Sequence, residues 1–140
     1  MTGARPDRDK MIEGYQVSSS PRIVTLERMR DFSEWPTKSI HTDEETAKES
    51  GLPGPVAQGM MSYGYLSSLL IGLFGEDWFR RGKMSVSFIR MVQPGDTIIA
   101  NATIRTREVD PAGLRLSLDV WCENQRGEKV TVGTATILLQ

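Results

Sequence analysis

The segment Gly59–Phe74 most restricts how this chain can fold. Met60, Met61, Tyr63, Tyr65, Leu66, Leu69, Leu70, Ile71, Leu73 and Phe74 are interleaved there with Ser62, Gly64, Ser67, Ser68 and Gly72. The run is too long for an ordinary strand. Apolar residues on most of its faces predict a buried helix. The small residues let a sheet or another backbone approach closely. Gly64 and Gly72 weaken the intrinsic helix preference without breaking it.

After Gly82 the period falls to two. Met84, Val86 and Phe88 alternate with Ser85, Ser87 and Ile89. Pro94-Gly95-Asp96, Asp110-Pro111-Ala112-Gly113 and Asn124-Gln125-Arg126-Gly127-Glu128 are turn sequences. They separate alternating runs at 97–109, 114–120 and 130–139. Strands joined by short turns, with no helices between them, predict an antiparallel meander. The order of elements is therefore α+β: a sheet wrapped on one long helix.

The first half is mixed. Thr25 is a good N-cap for a short helix carrying Leu26, Met29 and Phe32, and Trp35-Pro36 is expected to end it. Thr42 or Asp43 can cap a second helix, with Asp43, Glu44 and Glu45 in its first turn and Gly51 as its stop. Residues 1–11 are expected to form a loose arm and residues 12–140 a single domain.

Composition narrows the function classes. Seventeen Lys and Arg stand against 18 Asp and Glu, a formal net charge of -1. That provides no overall field for nucleic acid or an anionic membrane. No apolar run reaches the roughly 18 residues of a membrane span. Met1–Lys10 is polar and lacks the apolar core of a signal peptide, so a cytoplasmic location is expected. A single cysteine, Cys122, cannot form an intrachain disulfide. One Cys and one His cannot build a Cys/His zinc site within one chain, and no metal or cofactor is expected.

His41 is the only histidine and thus the natural candidate for proton transfer near neutral pH. It stands in Ser39-Ile40-His41-Thr42-Asp43, ahead of Gly54-Pro55-Val56-Ala57-Gln58-Gly59-Met60. With Phe88 through Val92-Gln93-Pro94-Gly95-Asp96-Thr97-Ile98 and the hairpin sequence Asn124 to Ala135, these segments resemble the MaoC-like hydratases, and within them the (R)-specific enoyl-CoA hydratases. The likeness covers about Ile23 to Leu139. It implies the hot-dog fold, a curved antiparallel sheet around one long central helix. It also implies an acyl-CoA or acyl-carrier-protein thioester substrate and a homodimer or higher homo-oligomer, joined sheet edge to sheet edge with active sites near the interface.

The chain departs from the family at one point. The hydratase motif is Asp, any residue, Asn, Pro, an aliphatic residue and His. Counted back from His41, the Asp position falls on Pro36 and the Asn position on Lys38. Adding water across an enoyl thioester requires one group to take a proton and another to deliver one. Glu34 is the substitute partner of choice, in the same shortened loop; Asp31 and Asp43 flank it. Gly59 suits a thioester oxygen, because a helix-opening glycine lets a ligand approach its N–H. Gln58 and Met60 are candidate substrate contacts. Arg81 and Lys83, in a basic cluster with Arg80, are candidates for a carrier phosphate. The resulting expectation is a hydratase or dehydratase, a hydro-lyase of fatty-acid type. A non-catalytic acyl-thioester-binding subunit is the alternative. A thioesterase comes third, because Gly59–Phe74 contains no carboxylate.

Overall fold

The computed structural model describes residues 7–140. The long helix forms where its sequence demands it, over Gly59–Phe74 (α3). Two short helices precede it. Leu26–Phe32 (α1) starts at Thr25, whose hydroxyl oxygen accepts the Arg28 N–H at 3.1 Å. It ends at Ser33, three residues before Pro36. Glu44–Glu49 (α2) starts at Asp43, whose carboxylate accepts from the Thr46 hydroxyl at 2.6 Å and the Thr46 N–H at 3.1 Å. Those bonds hold the Asp43 carboxyl below the usual range.

Two short strands, Gln16–Ser18 (β1) and Arg22–Ile23 (β2), lie in the stretch where the sequence pattern was weakest. After α3, Gly75 at φ 62° turns the chain into Glu76–Arg81 (α4). Two of the three residues of the basic cluster are thus helical, with Arg80 and Arg81 paired to Glu76 and Asp77 one turn back at 2.9 and 3.0 Å. Four strands follow, Gly82–Phe88 (β3), Thr97–Asp110 (β4), Gly113–Glu123 (β5) and Lys129–Leu139 (β6); only the last three run as the expected meander, and β3 pairs with β6 instead of its successor, because the long segment after Phe88 carries the chain across the sheet. All ladders are antiparallel, in the order β1-β4-β5-β6-β3, with β2 on the start of β4.

This is a curved six-stranded sheet around a central helix, the hot-dog arrangement. The inward face of the sheet alternates as a half-buried strand should: Ile98, Ala100, Ala102 and Ile104 on β4, then Leu114, Leu116, Leu118 and Val120 on β5. Leu66, Leu70, Leu73 and Phe74 of α3 meet them in one core, joined by Met11 and Met29. Ala100 and Ala102 are small, which lets the helix settle close to β4. Gly133 lets β3 approach β6: a Cβ there would stand 2.1 Å from the Ser85 carbonyl oxygen.

Burial of α3 is one-sided, which corrects the expectation of a helix buried on most faces. Met60, Gly64, Ser68 and Gly72 are exposed, because the sheet wraps only the Leu66–Leu70 side. The smallness of three of these residues accounts for a sequence that reads as apolar all round. Of residues 1–11, the first six lie outside the described region; Arg8–Lys10 is a 3-10 turn and Met11 is in the core. No helix among the described residues is long and apolar enough to cross a membrane.

Cys122 lies in the core with its thiol 3.7 Å from the Ser62 carbonyl oxygen. Burial pushes its pKa from 9.0 up to about 12. The group binds its proton more tightly folded than unfolded, so its stabilising contribution is complete below pH 9.0 and disappears as pH rises toward 12. The native thiol should resist iodoacetamide at pH 8 and react on unfolding; modification of the folded protein at the rate of a free thiol would contradict this burial.

Candidate active site

The loop between α1 and α2 is built by short polar contacts. Glu34 adopts φ 63°, a left-handed conformation uncommon for residues other than glycine. Arg30 stacks over Trp35 at 3.9 Å and donates its Nε–H to the Thr42 carbonyl at 3.0 Å. Thr42 is fully buried; its hydroxyl donates to the Thr37 carbonyl at 2.8 Å and accepts the Ser39 N–H at 2.9 Å. Ser39 Oγ in turn accepts the His41 N–H at 3.1 Å. His41 therefore stands on a turn with little freedom of its own.

Its imidazole is half-buried, with Nδ1 2.9 Å from the Val56 carbonyl oxygen. A carbonyl can only accept, so Nδ1 carries the proton and Nε2 presents its lone pair. The Val56 N–H donates back to the Ile40 carbonyl at 3.0 Å. This reciprocal tie fixes the histidine turn to the segment leading into α3. The Ala57 N–H donates to the Val92 carbonyl at 2.8 Å, and Gln58 Nε2 donates to Ser33 Oγ at 2.9 Å. The α1–α2 loop and the β3–β4 loop thus hold the segment that leads into α3.

A cavity of about 290 Å³ opens at that turn. One wall is Val56, Gln58, Gly59 and Ser62; the other is Phe88 to Val92, with Thr131 completing it. No side chain caps α3; the Met61 N–H donates to the Gln58 carbonyl at 3.0 Å, and the Gly59 and Met60 N–H groups, at the positive end of the helix dipole, remain as donors at the helix start. The Phe88 ring packs directly on Gly59: a Cβ on that glycine would lie 2.6 Å from ring atoms. Asp43 is occupied as the cap of α2.

The sequence candidates separate by position. Gly59 and Gln58 line the cavity, and His41 meets its wall through Val56 without being among the lining residues. Met60 is half-exposed and is not among the lining residues. Glu34 is exposed and has no hydrogen bond to His41 among the described residues. Arg81 and Lys83 line a different cavity, on the sheet beside Thr106 and Arg115. Among the described residues no carboxylate lines the Gly59 cavity, and no cluster of three or more His, Cys, Asp or Glu could hold a metal.

Sequence reasoning missed Phe88, Ser62 and Arg90. Phe88 read as one more alternating strand residue, and only its proximity to Gly59 gives it a role. Arg90 lines the cavity and is paired with Glu128 at 3.1 Å. No local motif marks it. Phe88, Ile89 and Met91 are each about half exposed, an apolar patch at the free edge of the sheet.

A profile of the MaoC like domain matches residues 16–111. No curated protein matches the chain. Among solved structures, a monoamine oxidase regulatory protein from Archaeoglobus fulgius is 26% identical, with a TM-score of 0.76 over 94% of this chain and 92% of that one. A MaoC-like dehydratase from Rhodospirillum rubrum is 22% identical, with a TM-score of 0.77 over 94% of each chain. The (R)-hydratase from A. caviae involved in PHA biosynthesis is 21% identical, with a TM-score of 0.70 over 91% of this chain and 96% of that one.

The contact between Gly59 and Phe88 gives a direct check. Gly59→Ala should destabilise the protein by about 1–3 kcal/mol, because the added methyl displaces the ring. Gly64→Ala, where a Cβ meets nothing within 4 Å, should stabilise by up to about 1 kcal/mol. Urea unfolding measures both, and equal effects would contradict the packing described.

Proposed function

Because the chain belongs to the MaoC-like domain family, we propose that it is an enoyl-thioester hydratase, or a 3-hydroxyacyl-thioester dehydratase in the reverse direction. The observation that supports this reading is the tie of the Ile40–His41 turn to Val56, in the segment leading into the uncapped start of α3, which leaves His41 Nε2 without a partner among the described residues. In hydration, His41 Nε2 takes a proton from water as the oxygen bonds to the β-carbon. The displaced π electrons move onto the thioester oxygen, where the Gly59 N–H stabilises the developing enolate. A proton delivered to the α-carbon completes the product. Glu34 is the proposed second group for that delivery, which requires its exposed loop to turn inward on substrate binding. Gln58 and Met60 are proposed acyl contacts.

The proposed substrate is an acyl-CoA or acyl-carrier-protein thioester, met in the cytoplasm. Arg90, which lines the cavity, is a better proposed contact for the carrier phosphate than Arg81 or Lys83. The proposed assembly is a homodimer through β3. That strand pairs only with β6 among the described residues, and its outer edge is flanked by Phe88, Ile89 and Met91. Ile89→Glu should convert a dimer to a monomer in light-scattering chromatography; a wild-type monomer would contradict the assembly.

A second reading rests on the missing carboxylate. A cavity without one suits a subunit that binds acyl thioesters and leaves the chemistry to a partner. Hydration of crotonyl-CoA and longer enoyl-CoAs, followed by loss of enoyl absorbance, separates the two. The hydratase reading expects turnover by wild type, a loss of at least about 100-fold in kcat/KM for His41→Ala, and a smaller loss for Glu34→Gln. Equal activity of His41→Ala and wild type would refute the role of the imidazole. Tight binding with no turnover would favour the second reading.

A further inference from the structure

A second cavity, also about 290 Å³, lies further along α3, between that helix and the β1–β2 segment. It shares no lining residue with the Gly59 cavity. Its apolar surface comes from Val17, Leu69 and Leu73. Its polar groups are Arg22 and the hydroxyls of Tyr65, Ser68 and two serines of the β1–β2 turn. No carboxylate lines it, and Arg22 joins no ion pair among the described residues. The Arg22 guanidinium stands 5.9 Å from the centre of the Tyr65 ring.

The electrostatics of this mouth are one-sided. Burial raises the Tyr65 pKa, while the positive charges of Arg28 and Arg22 pull against it. The hydroxyl therefore stays protonated through the neutral range and is available as a donor. Arg28 is itself held near by an Nη1–H bond to the Ile23 carbonyl at 2.8 Å. Gly72 leaves the helix side open, since a Cβ there would meet nothing within 4 Å. The space lies at the lower limit of small-molecule sites, which run from about 300 Å³ upward. It suits roughly ten non-hydrogen atoms at about 30 Å³ each.

We infer that this cavity binds an aliphatic carboxylate, its chain against Val17, Leu69 and Leu73 and its head at Arg22 with the Tyr65 and Ser68 hydroxyls as further donors. An arginine fork matches a carboxylate in two parallel bonds, and an alkyl chain matches the apolar lining. A thioester lacks the charged head that Arg22 would pair with, so the ligand is the free acid. The inference stands whether or not the protein is a hydratase, because the two cavities have separate walls.

The test is titration of the isotope-labelled protein with octanoate, followed by amide chemical shifts. Wild type should show saturable shifts at Val17, Tyr65, Leu69 and Leu73, with octanol and octylamine binding more weakly. Arg22→Gln should weaken octanoate at least about tenfold, as loss of a charged hydrogen bond predicts. Gly72→Leu should abolish binding while keeping the helix intact by circular dichroism. His41→Ala should bind as wild type does. Absence of saturable binding would overturn the inference. So would shifts centred on Gly59 and Phe88, equal affinity for octanol, or unchanged affinity in both cavity variants.

Discussion

The burial of one face of α3 against β4, β5 and β6 is the constraint from which the other features follow. Fully burying a leucine contributes about 1.5–3 kcal/mol, and Leu66, Leu70 and Leu73 lie at most 5% exposed on that face. The sheet accommodates the helix with alanines at 100 and 102 and larger aliphatics around them. Because the sheet curves over only one side, the opposite side of α3 is left to small residues. Cavities open at the margins, beside the first turn and beneath the β1–β2 segment. The fold thus creates space at the flanks of the helix rather than within the core.

The first turn of α3 is where that geometry becomes chemical. Two loops bind the segment leading into it through backbone and side-chain hydrogen bonds: Val56 to Ile40 and His41, Ala57 to Val92, Gln58 to Ser33. Those bonds set the tautomer of His41 and hold the segment that leads into Gly59. Phe88 then closes the glycine from the sheet side. A cavity formed by an uncapped helix start, a half-exposed aromatic ring and a cation suits a ligand that is polar at one point and apolar elsewhere.

Much of the architecture was legible in the sequence because it rests on local physics. The bounds of α3 coincide with its apolar run, and Thr25 and Asp43 cap the helices for which their side chains suit them. The turns at Gly95, Gly113 and Gly127 adopt the positive φ that their sequences advertise. What was not legible depends on long-range contact. β1 and β2 exist only through pairing with β4, and α4 is held by Trp78, which packs into the core. The exposed stripe at Met60, Gly64, Ser68 and Gly72 follows from the reach of the sheet, which no periodicity reports. In the site, His41 and Gly59 stood out by residue type. Phe88 and Arg90 did not, because what matters about them is the surface they face across the cavity. Arg81 and Lys83 lie at the opposite end of β3 from Phe88 and line a separate cavity.

The account turns on whether a thioester carbonyl rests against the start of α3 under the reach of His41. A crystal structure with a saturated acyl-CoA bound would decide it. The carbonyl oxygen should lie about 2.7–3.1 Å from the Gly59 nitrogen, with His41 Nε2 turned toward the α- and β-carbons. An acyl group bound elsewhere, with Phe88 still covering Gly59 and the imidazole facing no substrate atom, would contradict it.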